Sequence, residues 1–257
     1  MLKVEGVGKT YRSGIWGSRC SQVLKNISFT VEEGEWVALI GESGCGKSTL
    51  ARLILGLEER DGGRITCSGL AVAGRPRPGK ALYRMIQPVF QNSASCLNPR
   101  MRIKECLIEP LRNFAGMEAA EEQKEAEKLL ALVELSPDIL RKYPHELSGG
   151  QQRRVCIARA LSIKPRFLIM DEALAGIDAT ITASILVLLK KLQREVGCGC
   201  LFITHDLEMA LVMARKVLVM RDGQIVETVP QARSAGDFVT PYSKQLFKSS
   251  TLGCLKK

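Results

Sequence analysis

The stretch GESGCGKS, residues 41–48, narrows the possible folds more than any other part of the chain. It fits the pattern G-x-x-x-x-G-K-[ST], follows the apolar run WVALI (36–40) and leads into the helical run LARLILGL (50–57). A loop of this kind joins a buried strand to a helix, so its backbone N–H groups and the positive helix end face one anion. Gly41, Gly44 and Gly46 allow the tight turn. Lys47 can reach the β and γ phosphates of a nucleotide, and Ser48 can ligate Mg²⁺. Ser43, Cys45 and Thr49 complete the nucleotide-contacting stretch.

The rest of the chain reads as strands alternating with helices. NISFTVEEGE alternates Ile27, Phe29 and Val31 before a turn at Gly34, so the first 35 or so residues are β-rich. A second β stretch follows near Arg64–Val72. MIQPVF (85–90) reads as a strand, and Pro88 within it predicts a sheet edge or a break. From Asn92 to Leu161 the character becomes helical, most clearly in EAAEEQKEAEKLLALVEL. RFLIM (166–170), TASILVLLKKLQREV (182–196), CLFIT (200–204) and LEMALVMA (207–214) then resume the alternation, and KVLVMRDGQIVETV predicts a hairpin turning at Asp222-Gly223. The last 25 or so residues, with Pro230, Pro241 and a Ser/Lys-rich end, read as a loose tail. Such alternation implies a mostly parallel sheet.

In a sheet of this kind ligands bind beyond the carboxyl ends of the strands. Four predicted strands end in polar residues: Gly41, Gln91, the pair Asp171-Glu172, and His205. An unpaired carboxylate at the end of a buried strand is costly. A Mg²⁺ shared with Ser48 would satisfy Asp171, and Glu172 could orient or deprotonate a water. His205 could contact a γ-phosphate or that water, while His145 reads as structural. Tyr11, in KTYRSG, is a candidate stacking partner for an adenine ring, with Trp16 as its rival.

Composition excludes some classes. No apolar run approaches the roughly 18–20 residues that span a bilayer, and MLKVEGVGKTYR lacks the apolar core of a secretory signal. The expectation is a cytosolic protein. The nine cysteines include no C-x-x-C pair. Cys198 and Cys200 form only a C-x-C, so small reduced residues are expected rather than a zinc site. The net charge of +10 is spread among acids and points to no particular partner.

HELSGGQQRR (145–154) poses a separate problem. Ser148 and Gln151 make an S-x-x-Q capping box, and Val155, Ala158 and Leu161 share a face of the helix that follows. Gly149 and Gly150 occupy its first turn, where each costs about 1 kcal/mol relative to alanine. A cap does not need them. Removing two Cβ atoms lets another group approach the exposed donors, which predicts a second phosphate site. Since the chain already has a phosphate loop, that phosphate would belong to another chain.

Together these residues resemble the ATP-binding cassette family of transporter ATPases, over about residues 1–230. The resemblance rests on Tyr11, GESGCGKST, Gln91, LSGGQ, FLIMDE and His205. It implies an α/β fold: a P-loop NTPase (RecA-like) core with a mostly parallel sheet, an N-terminal antiparallel β subdomain, and an inserted helical subdomain at about 92–161, followed by the tail 231–257. It implies ATP and Mg²⁺ as cofactors, with Ser48, Gln91 and Asp171 at the metal. Gln91 would link that metal site to the helical subdomain, and Glu172 would be the general base. It also implies a head-to-tail dimer in which Ser148, Gly149, Gly150 and Gln151 contact the partner's ATP. The partners would be a second cassette, a paralogue by branch resemblance, two transmembrane permease subunits and an extracytoplasmic substrate-binding protein, with this chain peripheral at the cytoplasmic face of the cell (inner) membrane. No nucleic acid is expected. VFQNSASCLNPR, YPHELSGGQQRRV and TPYSKQLFKSS resemble the dipeptide/oligopeptide/nickel importer branch, and LARLILGLE and CLFITHDL lean toward its nickel-import members. One departure stands out. After Glu172 the family usually shows Pro-x-Ser-Ala-Leu-Asp or a close variant, whereas this chain has Ala173-Leu174-Ala175-Gly176-Ile177-Asp178, which puts the cross-interface hydrogen bonding of that loop in doubt.

Overall fold

The apolar runs become strands and the periodic runs become helices nearly where the pattern puts them. The computed structural model describes residues 1–13, 19–72, 79–91 and 96–254. Trp16 and the start of the expected helical insertion, 92–95, lie outside the described residues. The chain divides into two units, 1–83 with 199–257 and 84–198.

The first unit holds two sheets. Strands β1 (Leu2–Ser13), β2 (Arg19–Val31), β4 (Gly62–Cys67) and β5 (Leu70–Ala71) form an antiparallel sheet in the order β2-β1-β4-β5. This is the expected N-terminal β subdomain. The inward residues of its alternating strands, Leu2, Val4, Val7, Ile27 and Ile65, are fully or almost fully buried. In the other sheet, β3 (Trp36–Ile40) lies parallel to both β8 (Gly199–Thr204) and β9 (Lys216–Arg221). All five residues of β3 and all six of β8 are buried, which is why they read as unbroken apolar runs rather than as alternation. Strand β10 (Gln224–Val229) pairs antiparallel with β9 through a turn at Asp222 and Gly223, both at positive φ. Helix α1 (Lys47–Ile54) follows β3.

The second unit begins with α2 (Lys80–Met85) crossing its boundary, followed by β6 (Ile86–Phe90). Strand β6 pairs in parallel with β7 (Phe167–Asp171) and ends the strand order, the edge position Pro88 predicts. Between them run α3 (Ile103–Ala115), α4 (Ala119–Leu132), two short 3-10 turns and α5 (Gly149–Leu161). These are the expected helical insertion. Arg112 of α3 holds Glu122 of α4 through a two-pronged contact of 2.6 and 2.7 Å. Helix α6 (Ala179–Val196) closes the unit and buries Ile185, Leu188, Leu189 and Leu192 at helical spacing. Helix α7 (Leu207–Met213) belongs to the first unit again.

The C-terminal segment corrects the sequence reading. It is not a loose tail, and it belongs to the first unit rather than standing apart. A 3-10 turn at Ala235–Asp237 leads to α8 (Pro241–Cys254). Thr240 Oγ1 accepts the Ser243 N–H at 3.2 Å, so Thr240 caps the helix and Pro241 fills its first position. Glu227 of β10 accepts from the Val239 N–H at 2.6 Å, from the Thr240 N–H and hydroxyl, and from the Ser243 hydroxyl. Phe238 is fully buried and meets Phe247 edge-on, with ring centroids 4.5 Å apart. Lysines and serines in the sequence of this segment dilute the apolar pattern and hide these anchors.

Candidate functional site

In the first unit the phosphate loop leaves β3 and enters α1 with Gly46 as N-cap and no side-chain cap. The N–H groups of the first turn therefore have no side-chain acceptor at the cap. Gly46 has φ 111°, and a Cβ there would lie 2.8 Å from Leu24 Cδ2. A Cβ on Gly41 would lie 2.2 Å from the Met220 carbonyl oxygen. Both glycines are thus required by close approach as well as by the turn. The Lys47 ammonium is buried and donates to the carbonyls of Gly41 and Glu42, each at 2.8 Å. The lysine holds its own loop closed. Cys45 is buried, and burial pushes its thiol up although Lys47 pulls the other way. It behaves as a packing residue, not a nucleophile.

Around this loop the first unit gathers two more expected residues. Ile40 pairs with Thr204 in the parallel register, so Gly41 and His205 leave neighbouring strands at the same end. His205 is exposed there. Asp206 after it caps α7 by accepting the Met209 N–H at 3.0 Å. The Tyr11 hydroxyl donates to Glu58, which also accepts from Arg52 Nε of α1 at 2.5 Å. Burial raises the Glu58 carboxyl, but these two hydrogen bonds together with the positive charges of Arg52 and Lys9 outweigh it and hold the group below its ordinary value. Arg52 also reaches the Thr49 hydroxyl at 3.3 Å. The Lys9 ammonium sits 5.2 Å from the Tyr11 ring centroid, so one face of that ring already carries a cation.

In the second unit Phe90 pairs with Asp171, so Gln91 and Glu172 leave adjacent parallel strands side by side. Asp171 is 9% exposed, as expected for a carboxylate ending a buried strand. Glu172 has φ 46°, a left-handed conformation that costs a non-glycine residue on the order of 1–3 kcal/mol. The chain turns sharply at this carboxylate. Its carbonyl accepts the Ala175 N–H at 3.0 Å, Gly176 follows at φ 77°, and Asp178 caps α6 through the Ile181 N–H at 2.9 Å. The turn that departs from the family pattern therefore closes by backbone bonds and Asp178, without the missing serine.

The capping box at the signature stretch is present in both directions. Ser148 Oγ accepts the Gln151 N–H at 3.3 Å, and Gln151 Oε1 accepts the Ser148 N–H at 3.0 Å. The two glycines separate. Gly149 is exposed and a Cβ there would meet nothing within 4 Å, whereas a Cβ on Gly150 would lie 2.7 Å from Ile181 Cγ2 of α6. Packing against α6 accounts for Gly150, so anion access is needed to explain Gly149 alone. Neither has positive φ. We expect Gly150→Ala to cost about 1–3 kcal/mol in denaturant melts. Gly149→Ala should be neutral or stabilise by up to about 1 kcal/mol. A Gly149→Ala protein that melts normally but hydrolyses ATP poorly would show that a group approaches there.

One residue in this site has no sequence signal. Arg153, 3% exposed on α5, donates to the Phe90 carbonyl at 2.5 Å and to the Gln91 carbonyl. Arg159 of the same helix donates to the Cys96 carbonyl at 2.5 Å. The signature helix thus grips the segment on either side of residues 92–95. Arg153 sits in a polar QQRR run that reads as solvated surface, and only its burial distinguishes it.

Comparison with known proteins agrees with this geometry. A family profile described as ABC transporter matches residues 24–175. The chain belongs to the ABC transporter family. The cassette is 45% identical over 231 residues to the nickel import ATP-binding protein NikE of Escherichia coli (strain K12), covering 89% of this chain and 86% of that protein. It is 44% identical over 243 residues to the NikE of Shigella boydii serotype 4 (strain Sb227), covering 93% and 89%. Among solved structures it resembles an ATP-binding cassette in a dimeric post-hydrolysis state bound to ADP and Pi. That match has a TM-score of 0.78 and 30% identity, covering 90% of this chain and 100% of that one. The cassette is an ATP-binding, ATP-hydrolysing component of a transporter with a mixed α/β, mostly parallel core.

Proposed function

We infer that this chain is the ATP-hydrolysing subunit of a membrane importer that takes up nickel, a related metal or a metal chelate. The observation that carries the reading is the 44% identity to a nickel import ATP-binding protein over 93% of the chain. A dipeptide or oligopeptide importer is the alternative, since the same branch motifs occur in the sequence. A cassette acting on nucleic acid would suit the charge of +10 but has no further support.

The chemistry is transfer of the γ-phosphoryl group of ATP to water. Water oxygen bonds to the γ phosphorus, the bond to the bridging oxygen breaks, and ADP leaves with the electron pair. Lys47 exchanges its two carbonyl partners for β- and γ-phosphate oxygens, so the loop opens to the ligand as it binds. Gly41, Ser43, Gly44, Cys45, Gly46 and Thr49 present the loop around those phosphates. Tyr11 offers the ring face away from Lys9 to the adenine. Glu172 orients the water and receives its proton, and His205 positions the γ-phosphate. The Ser48 hydroxyl, the Asp171 carboxylate and the Gln91 amide oxygen are hard donors suited to Mg²⁺. That ion neutralises phosphate charge when bound.

The stretch Ser148 to Gln151 completes the ATP site of a second cassette, a paralogue in our reading. Gln91, gripped by Arg153, passes the state of the nucleotide site to the helical segment and so to two permease subunits. No helix among the described residues is long and apolar enough to cross a membrane. The chain works as a peripheral subunit at the cytoplasmic face of the inner membrane, and an extracytoplasmic binding protein selects the cargo.

The test is to purify the assembled complex, identify its membrane and binding subunits, and measure ATP-driven uptake into vesicles. Nickel or nickel chelate should accumulate and short peptides should not. Peptide uptake without metal uptake would overturn the substrate assignment.

A further inference from the structure

The C-terminal helix does more than complete the fold. The Tyr242 hydroxyl accepts the Glu42 N–H at 3.4 Å, from 200 residues away in sequence. Glu42 is the second residue of the phosphate loop. Its carbonyl is already held by Lys47 at 2.8 Å, so the Glu42 residue is tied on both its donor and its acceptor side. The loop is fastened at a third point, where the Gly223 N–H donates to the Cys45 carbonyl at 3.1 Å. When Lys47 turns to phosphate, the Lys47 tie is lost. The Tyr242 and Gly223 ties can remain.

Tyr242 is itself held in place. It is 8% exposed, and the Arg221 guanidinium lies 4.7 Å from its ring centroid. One residue on, Ser243 is fully buried and donates to Glu227. The Phe238–Phe247 contact pins the same helix one turn further on. A flexible tail could not hold a hydroxyl against one loop N–H. The Glu227 network, with its four donors, fixes the helix start closely enough to do so.

We propose that Tyr242 is a positioning residue for the phosphate loop: it holds the first bend of the loop in the form that receives ATP. The Glu42 N–H faces Tyr242 and is therefore not among the donors offered to phosphate. Its role is to set the loop's path, so that the later N–H groups are ordered before the nucleotide arrives. Pre-ordering raises affinity and leaves the rate of the bound complex unchanged. The inference rests on the reading that the loop binds ATP.

The experiment compares Tyr242→Phe with the parent chain in the assembled complex. Phenylalanine keeps the ring against Arg221 and removes only the hydroxyl. The expected result is a KM for ATP, and a Kd for a fluorescent ATP analogue, raised roughly three- to tenfold, the size of one lost hydrogen bond. The kcat should not change, and the melting temperature of the nucleotide-free protein should fall by no more than about 2–4 °C, the size of the same single bond. Unchanged nucleotide affinity would overturn the proposal. So would weaker affinity accompanied by a larger fall in melting temperature, because that is the mark of a merely structural contact. Lys47→Ala serves as the control for the underlying reading. If it still binds ATP, the loop assignment fails. If it loses ATP while Tyr242→Phe binds normally, only the Tyr242 proposal fails.

Discussion

Replacing Glu172 with glutamine is expected to slow ATP hydrolysis on the order of 10²–10⁴-fold, the usual range for losing a general base. Glutamine is isosteric, so the left-handed turn at this position and its bond from the Ala175 N–H should persist. What is lost is the ability to take a proton from water. ATP should still bind with near-parental affinity, because Lys47 and the loop are untouched. The ATP-bound dimer should therefore live longer, visible as a stable dimer peak in size-exclusion chromatography with ATP. Near-parental turnover by Glu172→Gln would remove Glu172 from the role of base. Turnover lost together with nucleotide affinity would place the residue in binding instead.

Ser148→Arg should have an effect of similar size by a different route. Ser148 is exposed, and its hydroxyl caps α5 within this chain. In our account it also donates to the phosphate of another cassette. A long charged side chain there would block that approach and should lower turnover by roughly 10²–10³-fold, as loss of a positioned donor in a reacting site does. This chain's own loop should bind ATP as before. Ser148→Ala provides the reference. It loses only the cap, about 1 kcal/mol of stability, and the single donor. If Ser148→Arg lost the chain's own nucleotide binding, the partner's phosphate would not be what Ser148 contacts.

Much of this architecture is legible in local patterns. WVALI, RFLIM and CLFIT appear as strands within one residue of their apolar limits, because burial on both faces leaves no alternation to misread. The S-x-x-Q box and the Asp222-Gly223 turn are likewise decided within four residues of chain. The strand-end rule puts Gly41, Gln91, Asp171-Glu172 and His205 at the carboxyl ends of their strands, whereas which of them stand side by side is decided by the strand pairing. What escaped reading is non-local. Gly150 is a glycine because of Ile181, thirty-one residues on, and nothing near Gly150 signals that contact. Arg153 is buried by carbonyls more than sixty residues away. The C-terminal segment docks through Glu227 and Glu42, and the buried residues Phe238, Tyr242, Ser243 and Phe247 fall in a stretch whose Lys- and Ser-rich composition gives no clear apolar period. The Thr240-Pro241 start of its helix is a signal that composition alone passes over.

The claim on which the rest depends is that one chain cannot complete its own ATP site. The direct measurement is the ATPase rate per chain over a dilution series, first for the purified chain and then with its partner cassette and permease subunits. The per-chain rate should fall as the chain is diluted and be restored by the partner subunits, with Ser148→Arg in the partner position unable to restore it. A constant per-chain rate down to concentrations where sedimentation shows only monomer would contradict it.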